Sequence, residues 1–106
     1  MKLRFPRLRV RCPITFSGDY DVGEGTVINI SDRGWRVKSH STRVPQGTHL
    51  TLQISLPGHR APMKVDLAAV QWSRGLEFGL VFLQMQAEES LRLRRFLDTF
   101  HTRAST

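Results

Sequence analysis

Hydrophobic and polar residues alternate along most of the chain, and this alternation is typical of strands that bury one face. Short segments rich in glycine, proline and small polar residues separate the alternating runs and indicate turns. The residues that share one face in each of these runs are Val10, Cys12, Ile14 and Phe16; Thr26, Ile28 and Ile30; Trp35 and Val37; Leu50, Leu52, Ile54 and Leu56; and Leu76, Phe78, Leu80 and Phe82.

Three residues modify this strand pattern. A further run lies between Leu56 and Leu76. Its hydrophobic residues are at odd positions from Met63 to Ala69 and at even positions for Val70 and Trp72, which predicts a β-bulge near Ala69. Pro13 cannot donate a ladder hydrogen bond, so the first strand should be an edge strand or have its proline on an unpaired side. Gly79 within the last strand indicates a bend or a close approach of another group.

The C-terminal part of the sequence changes from a strand period to a helix period. Leu93, Phe96, Leu97 and Phe100 follow an i, i+3, i+4, i+7 spacing, which places them on one helix face. We therefore predict a single domain over residues 1–106, with a flexible arginine arm at 1–9, strands over 10–83 and a helix over 87–101. The fold class is all-β with a small α element, as an antiparallel barrel or sandwich that the helix caps.

The segment from Asn29 to Gly34, called here the Asn29–Gly34 turn, joins two of the strands into a hairpin. Its short polar side chains can bond to nearby backbone groups, and glycine can adopt a positive φ at little steric cost. The same features form a small cup of hydrogen-bond donors, a surface that can receive an anion.

Positive charge is concentrated at the amino terminus. The net charge is +7, and Lys2, Arg4, Arg7, Arg9 and Arg11 contribute five positive charges before any acidic residue occurs. Such a block indicates a solvated tail or an anionic partner. Arginine outnumbers lysine thirteen to three, which favours planar, bidentate contacts with phosphate groups or base edges.

Catalytic chemistry has little support in the sequence. The histidines and carboxylates are dispersed, so no paired acid and base and no metal-ligand cluster is expected, and no cofactor is predicted. Cys12 is the only cysteine and falls on a hydrophobic face, which favours a core thiol. No secretory signal and no membrane span is recognisable, so we expect a cytoplasmic protein that is not an enzyme.

The sequence resembles a PilZ domain, the bacterial receptor module for cyclic di-GMP. Asn29-Ile30-Ser31-Asp32-Arg33-Gly34 fits the (D/N)xSxxG motif of this family, and the arginines near the amino terminus resemble its RxxxR motif. The resemblance extends over nearly the whole chain. It includes residues 7–14 at the first strand, 44–47 before the middle strands, and 70–72 and 78–82 in the last two strands.

The resemblance implies a six-stranded antiparallel β-barrel with a C-terminal helix. It also implies that cyclic di-GMP lies on the barrel surface, between the arginine arm and the turn. Asn29 would bond guanine, while Ser31 and Gly34 would contact phosphate. Arg7 and Arg11 satisfy RxxxR literally. If the chain is instead aligned on the strand that follows, Arg7 is the second arginine of the motif. Leu3 then takes the place of the first arginine, and Arg4 lies one residue from Leu3.

The sequence thus predicts a non-catalytic second-messenger receptor that relays its signal to a protein partner in motility, pilus or biofilm control, as a monomer or weak homodimer. The predicted ligand-binding residues are Arg4, Arg7, Arg11, Asn29, Ser31 and Gly34. One alternative is a degenerate PilZ-like adaptor that binds a protein partner without nucleotide, which Leu3 favours. A third hypothesis is a small RNA-binding barrel. It has little support, because few aromatic residues are available to stack bases. No DNA or RNA partner is expected.

Overall fold

The computed structural model describes residues 8–19, 22–30 and 34–104, in which six antiparallel strands close into a barrel and one helix follows. The strands are hydrogen-bonded in the order β1-β2-β3-β6-β5-β4, so β1 and β4 close the sheet. The elements are β1 (Leu8–Ser17), β2 (Val22–Ile30), β3 (Trp35–Ser39), β4 (His49–Ile54), β5 (Met63–Arg74), β6 (Glu77–Gln84) and α1 (Ala87–Ala104). The predicted fold class is confirmed, and the closed barrel replaces the sandwich alternative.

The barrel interior is filled by the inward-facing residues of all six strands. Phe16 and Phe78 pack edge to face, with ring centroids 5.4 Å apart, and Trp35 packs against Phe82. The alternation predicted for β1, β3 and β4 is confirmed, because its hydrophobic positions are all buried. Burial of this apolar surface is the main force that stabilises the barrel.

The predicted inward face of β2 is wrong at Thr26 and Ile28. Val27 and Ile30 are fully buried, whereas Thr26 and Ile28 are only half-buried. A β-bulge explains the change of face, because Val27 pairs with Val37 and Asn29 pairs with Arg36, which leaves Ile28 as the extra residue. The bulge turns Asn29 towards the outer surface of the barrel.

Two irregularities in β5 replace the single bulge predicted near Ala69. Leu52 pairs with Val65 and Leu50 with Ala68, so the first irregularity lies before Ala68. The second lies at Gln71, between the pairs that Val70 and Trp72 make with β6. Val70 is buried, but Trp72 is 38% exposed, so the sequence-based assignment of Trp72 to the apolar face is wrong.

Pro13 lies at the end of the ladder between β1 and β4. The amide of Ser55 donates to the Pro13 carbonyl oxygen at 2.9 Å, just beyond the end of β4. In a strand, the N and C=O of one residue point to the same side. The nitrogen of Pro13 therefore faces Ser55, one residue beyond the end of β4. Because β1 pairs with both β2 and β4, the edge-strand alternative is wrong.

Helix α1 is held to the barrel by apolar packing and by Arg92. Phe96 and Leu97 are buried, and Leu93 packs against the core. The Arg92 guanidinium donates to the carbonyl oxygens of Ala61 (2.6 Å) and Pro62 (3.3 Å) and pairs with Glu89 at 3.0 Å. Within residues 8–19, 22–30 and 34–104, no helix has the length and hydropathy needed to cross a membrane.

Candidate functional site

A row of residues crosses five strands of the barrel next to the Asn29–Gly34 turn. Arg9 pairs with Asn29, Asn29 with Arg36, Arg36 with Gly79, and Gly79 with Trp72. We call Arg9, Asn29, Arg36, Gly79 and Trp72 the outer row, because the side chains of the four larger residues lie on the outside of the barrel. Neighbouring strands are about 4.8 Å apart, so the row spans roughly 19 Å.

Trp72 lies across Gly79 as a partly exposed aromatic platform. A Cβ built on Gly79 would overlap the Trp72 indole at Nε1. The glycine therefore allows the indole to lie directly on β6, and the expected close approach at this strand glycine is confirmed. An aromatic ring held in this way offers a face on which a nucleobase can stack.

Arg36 lies between the platform and the turn and is fixed by Glu77. Its Nε donates to Glu77 Oε1 at 2.7 Å, and its Nη2 forms an ion pair with the same oxygen. The Arg36 Cζ lies over the Trp72 ring, 5.5 Å from the centroid. The carboxylate and the indole both favour a guanidinium held over the ring.

These groups line an open cavity of about 390 Å³. Two predicted ligand-binding residues, Asn29 and Gly34, lie on it together with Arg36, Trp72 and Arg74. A Cβ built on Gly34 would lie 2.5 Å from the Leu80 carbonyl oxygen of β6, so this position leaves no room for a side chain.

Arg11, the third predicted residue that the structure describes, lines a neighbouring cavity of about 710 Å³ with Arg9, Asn29, Lys38 and Glu77. Asn29 is common to both cavities. Among the described residues that line them, Arg9, Arg11, Arg36, Lys38 and Arg74 are cationic and Glu77 alone is anionic. The surface around Asn29 therefore favours a ligand that carries negative charge.

Arg4, Arg7 and Ser31 lie outside the residues that the structure describes, as does Leu3. Their assignment to the site remains a sequence-based prediction. Arg9, which the sequence analysis placed in the arm, lies in β1 and is exposed.

Sequence reasoning missed Trp72 and Arg36. Trp72 was hidden by the bulge at Gln71, which reverses the apparent strand phase. The available signal was Gly79 itself, because a strand glycine leaves room for a large neighbouring side chain. The structure identifies its neighbours as Trp72 on one side and Arg36 on the other.

The Cys12 thiol does not belong to this surface. Cys12 is fully buried, and burial raises the pKa of its thiol above the usual 9.0. Within residues 8–19, 22–30 and 34–104, no group of three or more histidine, cysteine and acidic side chains is arranged to hold a metal ion.

The barrel and its outer row present a surface that combines hydrogen-bond donors, cations and an aromatic face, as a small ligand-binding module requires. The family comparison agrees, because the PilZ domain model matches residues 2–99. The chain belongs to the PilZ domain family, whose members are receptors for cyclic di-GMP and are known as non-catalytic binding modules. No curated protein sequence matches the chain.

Proposed function

We propose that this protein is a non-catalytic receptor that binds cyclic di-GMP between its arginine arm and the Asn29–Gly34 turn. The observation that carries the proposal is the outer row beside the turn, which brings Asn29, Arg36 and Trp72 to one cavity. Cyclic di-GMP carries two phosphates and two guanines, so it needs both cationic groups and an aromatic surface. The proposal includes no cofactor.

In the proposed complex each group has a separate task. Trp72 stacks on one guanine, and Asn29 bonds a base edge. Ser31 and the Gly34 amide hold a phosphate oxygen, while Arg4, Arg7 and Arg11 neutralise charge and close over the ligand. The dianionic ligand relieves repulsion within the arginine block, which favours an ordered arm. The reordered arm then relays the signal to a protein partner in the bacterial cytoplasm.

Calorimetric titration with cyclic di-GMP tests this proposal. We expect saturable binding, weakened roughly 5- to 150-fold by Trp72→Ala because one stacked base is lost. Arg7→Ala and Ser31→Ala should each reduce affinity roughly tenfold or more, since each removes a hydrogen bond to a charged or polar ligand group. Arg94→Ala, an exposed helix residue, is the matched control and should leave affinity unchanged.

Absence of saturable binding at high micromolar ligand, with the barrel folded by circular dichroism, would overturn the proposal. It would favour the second candidate, a PilZ-like adaptor without nucleotide. Leu3, which stands where the RxxxR motif has its first arginine, supports that candidate. Trp35 gives it no support, because its ring is only 4% exposed. Pull-down of partner proteins with and without cyclic di-GMP separates the two functions.

A further inference from the structure

The guanidinium of Arg36 retains hydrogen-bonding capacity towards the cavity. An arginine side chain has five N–H donors. Glu77 Oε1 accepts from Nε and pairs with Nη2, so the edge formed by Nη1 and Nη2 is not used by this carboxylate. The Arg36 side chain is 39% exposed, and the residue lines the 390 Å³ cavity together with Asn29 and Trp72.

The position of Arg36 relative to Trp72 determines what that edge can contact. The Arg36 Cζ lies 5.5 Å from the ring centroid, farther than the 3.5–4.0 Å of a centred stacking contact. The guanidinium is therefore not in close stacking contact with the indole, and Trp72 remains 38% exposed, so part of the ring is uncovered. A base stacked on the uncovered part lies beside the guanidinium and presents its edge to it.

Guanine and adenine differ at this edge. Guanine offers two acceptors, N7 and O6, whereas adenine offers the N7 acceptor and the N6 amino donor. A guanidinium has donors only, so it can make two hydrogen bonds to guanine, but its second donor would face a donor on adenine.

We propose that Arg36 reads the guanine edge of the nucleotide and is a specificity-determining residue, with Glu77 as the residue that positions it. This inference rests on the proposed cyclic di-GMP function and adds to it a source of base selectivity within the barrel itself. The role does not depend on the arm, in which Leu3 occupies the first motif position.

The test is the ratio of affinities for cyclic di-GMP and its adenine counterpart, cyclic di-AMP, measured by titration of the full chain. We expect the unsubstituted protein to prefer cyclic di-GMP. Arg36→Ala should lower this ratio roughly 5- to 150-fold, which is the discrimination between bases that one bidentate arginine–guanine pair usually provides. Arg36→Lys keeps the charge but lacks the planar fork, so it should also lower the ratio.

Two further variants separate base reading from general charge. Arg74→Ala removes a cation from the same cavity and should weaken both nucleotides equally, so the ratio is preserved. Glu77→Ala raises the net positive charge and should not weaken binding of the anions in general. Because it releases Arg36, however, it should lower the ratio.

The possible failures are distinguishable. If the unsubstituted protein binds neither nucleotide, the proposed function and this inference are both overturned. If it binds cyclic di-GMP selectively and Arg36→Ala retains the same ratio, only the role of Arg36 is overturned. Thermal unfolding of each variant verifies that a changed ratio comes from a folded barrel.

Discussion

At the scale of single residues, Gly79 controls the shape of the candidate site because it has no side chain. The residue does not have a positive φ, so its backbone conformation is open to alanine. What excludes a side chain is the Trp72 indole above it. The importance of Gly79 is therefore steric, and it can be tested separately from the stability of the strand.

Gly79→Ala should displace the Trp72 ring and reduce affinity for cyclic di-GMP to that of Trp72→Ala. The free energy of unfolding should change by less than about 1 kcal/mol, because an exposed ring can rotate away and alanine restricts the unfolded chain. The measurements are a ligand titration and urea unfolding. In the double variant Gly79→Ala/Trp72→Ala, the alanine at 79 should have no further effect on affinity; an additive loss would contradict the steric explanation.

Cys12 provides a second prediction at this scale. Its thiol is fully buried, and desolvation raises its pKa, so it should react with a thiol reagent at pH 8 only when the barrel opens. Above about pH 9 the unfolded chain ionises this thiol while the folded chain keeps it neutral. The stability that it contributes is thus complete below that pH and decreases as the pH rises.

Labelling with and without urea, together with urea unfolding between pH 7 and 10, measures both effects. Cys12→Ala serves as the control, since it should reduce the loss of stability at high pH. Rapid labelling of the native protein would contradict the buried position of the thiol.

At the scale of elements, Arg92 links α1 to the segment before β5. It binds two carbonyl oxygens of that segment and Glu89, while the Glu89 Oε2 accepts from the Lys64 amide at 2.7 Å. The Arg92 Nη2 also lies 3.4 Å from His59 Nδ1. One side chain thus joins the helix to several groups of this segment.

Arg92→Ala should destabilise the protein by about 1–3 kcal/mol, because it leaves backbone acceptors and a carboxylate without their charged donor. It should also increase amide hydrogen exchange at residues 59–64. Arg94→Ala, on the exposed face of the same helix, should change stability by less than about 0.5 kcal/mol. Equal effects of the two substitutions would show that the link does not order this segment.

The elements also show where sequence reasoning succeeded and where it failed. Strands with an unbroken period of two, such as β4, were predicted correctly because one buried face fixes their alternation. The failures lie at bulges in β2 and β5, where one extra residue reverses the faces. A bulge depends on pairing with another strand, which the local pattern does not record. Asn29 and Gly34 were found because a motif marks them, whereas Arg36 and Trp72 required the pairing.

At the scale of the whole molecule, closure of the sheet determines how the protein unfolds. Each strand pairs with two others, so removing any one strand breaks two ladders. Trp35 lies inside this closed sheet and contacts Phe82. We therefore expect one cooperative unfolding transition.

In Trp72→Phe, Trp35 is the sole tryptophan and reports on the interior. Its fluorescence and the far-ultraviolet circular dichroism should change with the same midpoint in urea, as two-state unfolding requires. The unsubstituted protein is the reference for stability. Separate midpoints would mean that part of the barrel opens before the rest.

The path of β5 has a consequence for how a partner could be engaged. Near its beginning, the Lys64 amide is bonded to Glu89 of α1, and near its end Trp72 lies at the candidate site. Lys64 and Trp72 are eight positions apart, which corresponds to at most about 26 Å of strand. A partner docked on the helix at Glu89 would therefore stand at the opposite end of a single strand from the nucleotide. The helix surface that binds the partner and the pocket that binds the nucleotide could then diverge independently in evolution, because no side chain needs to belong to both.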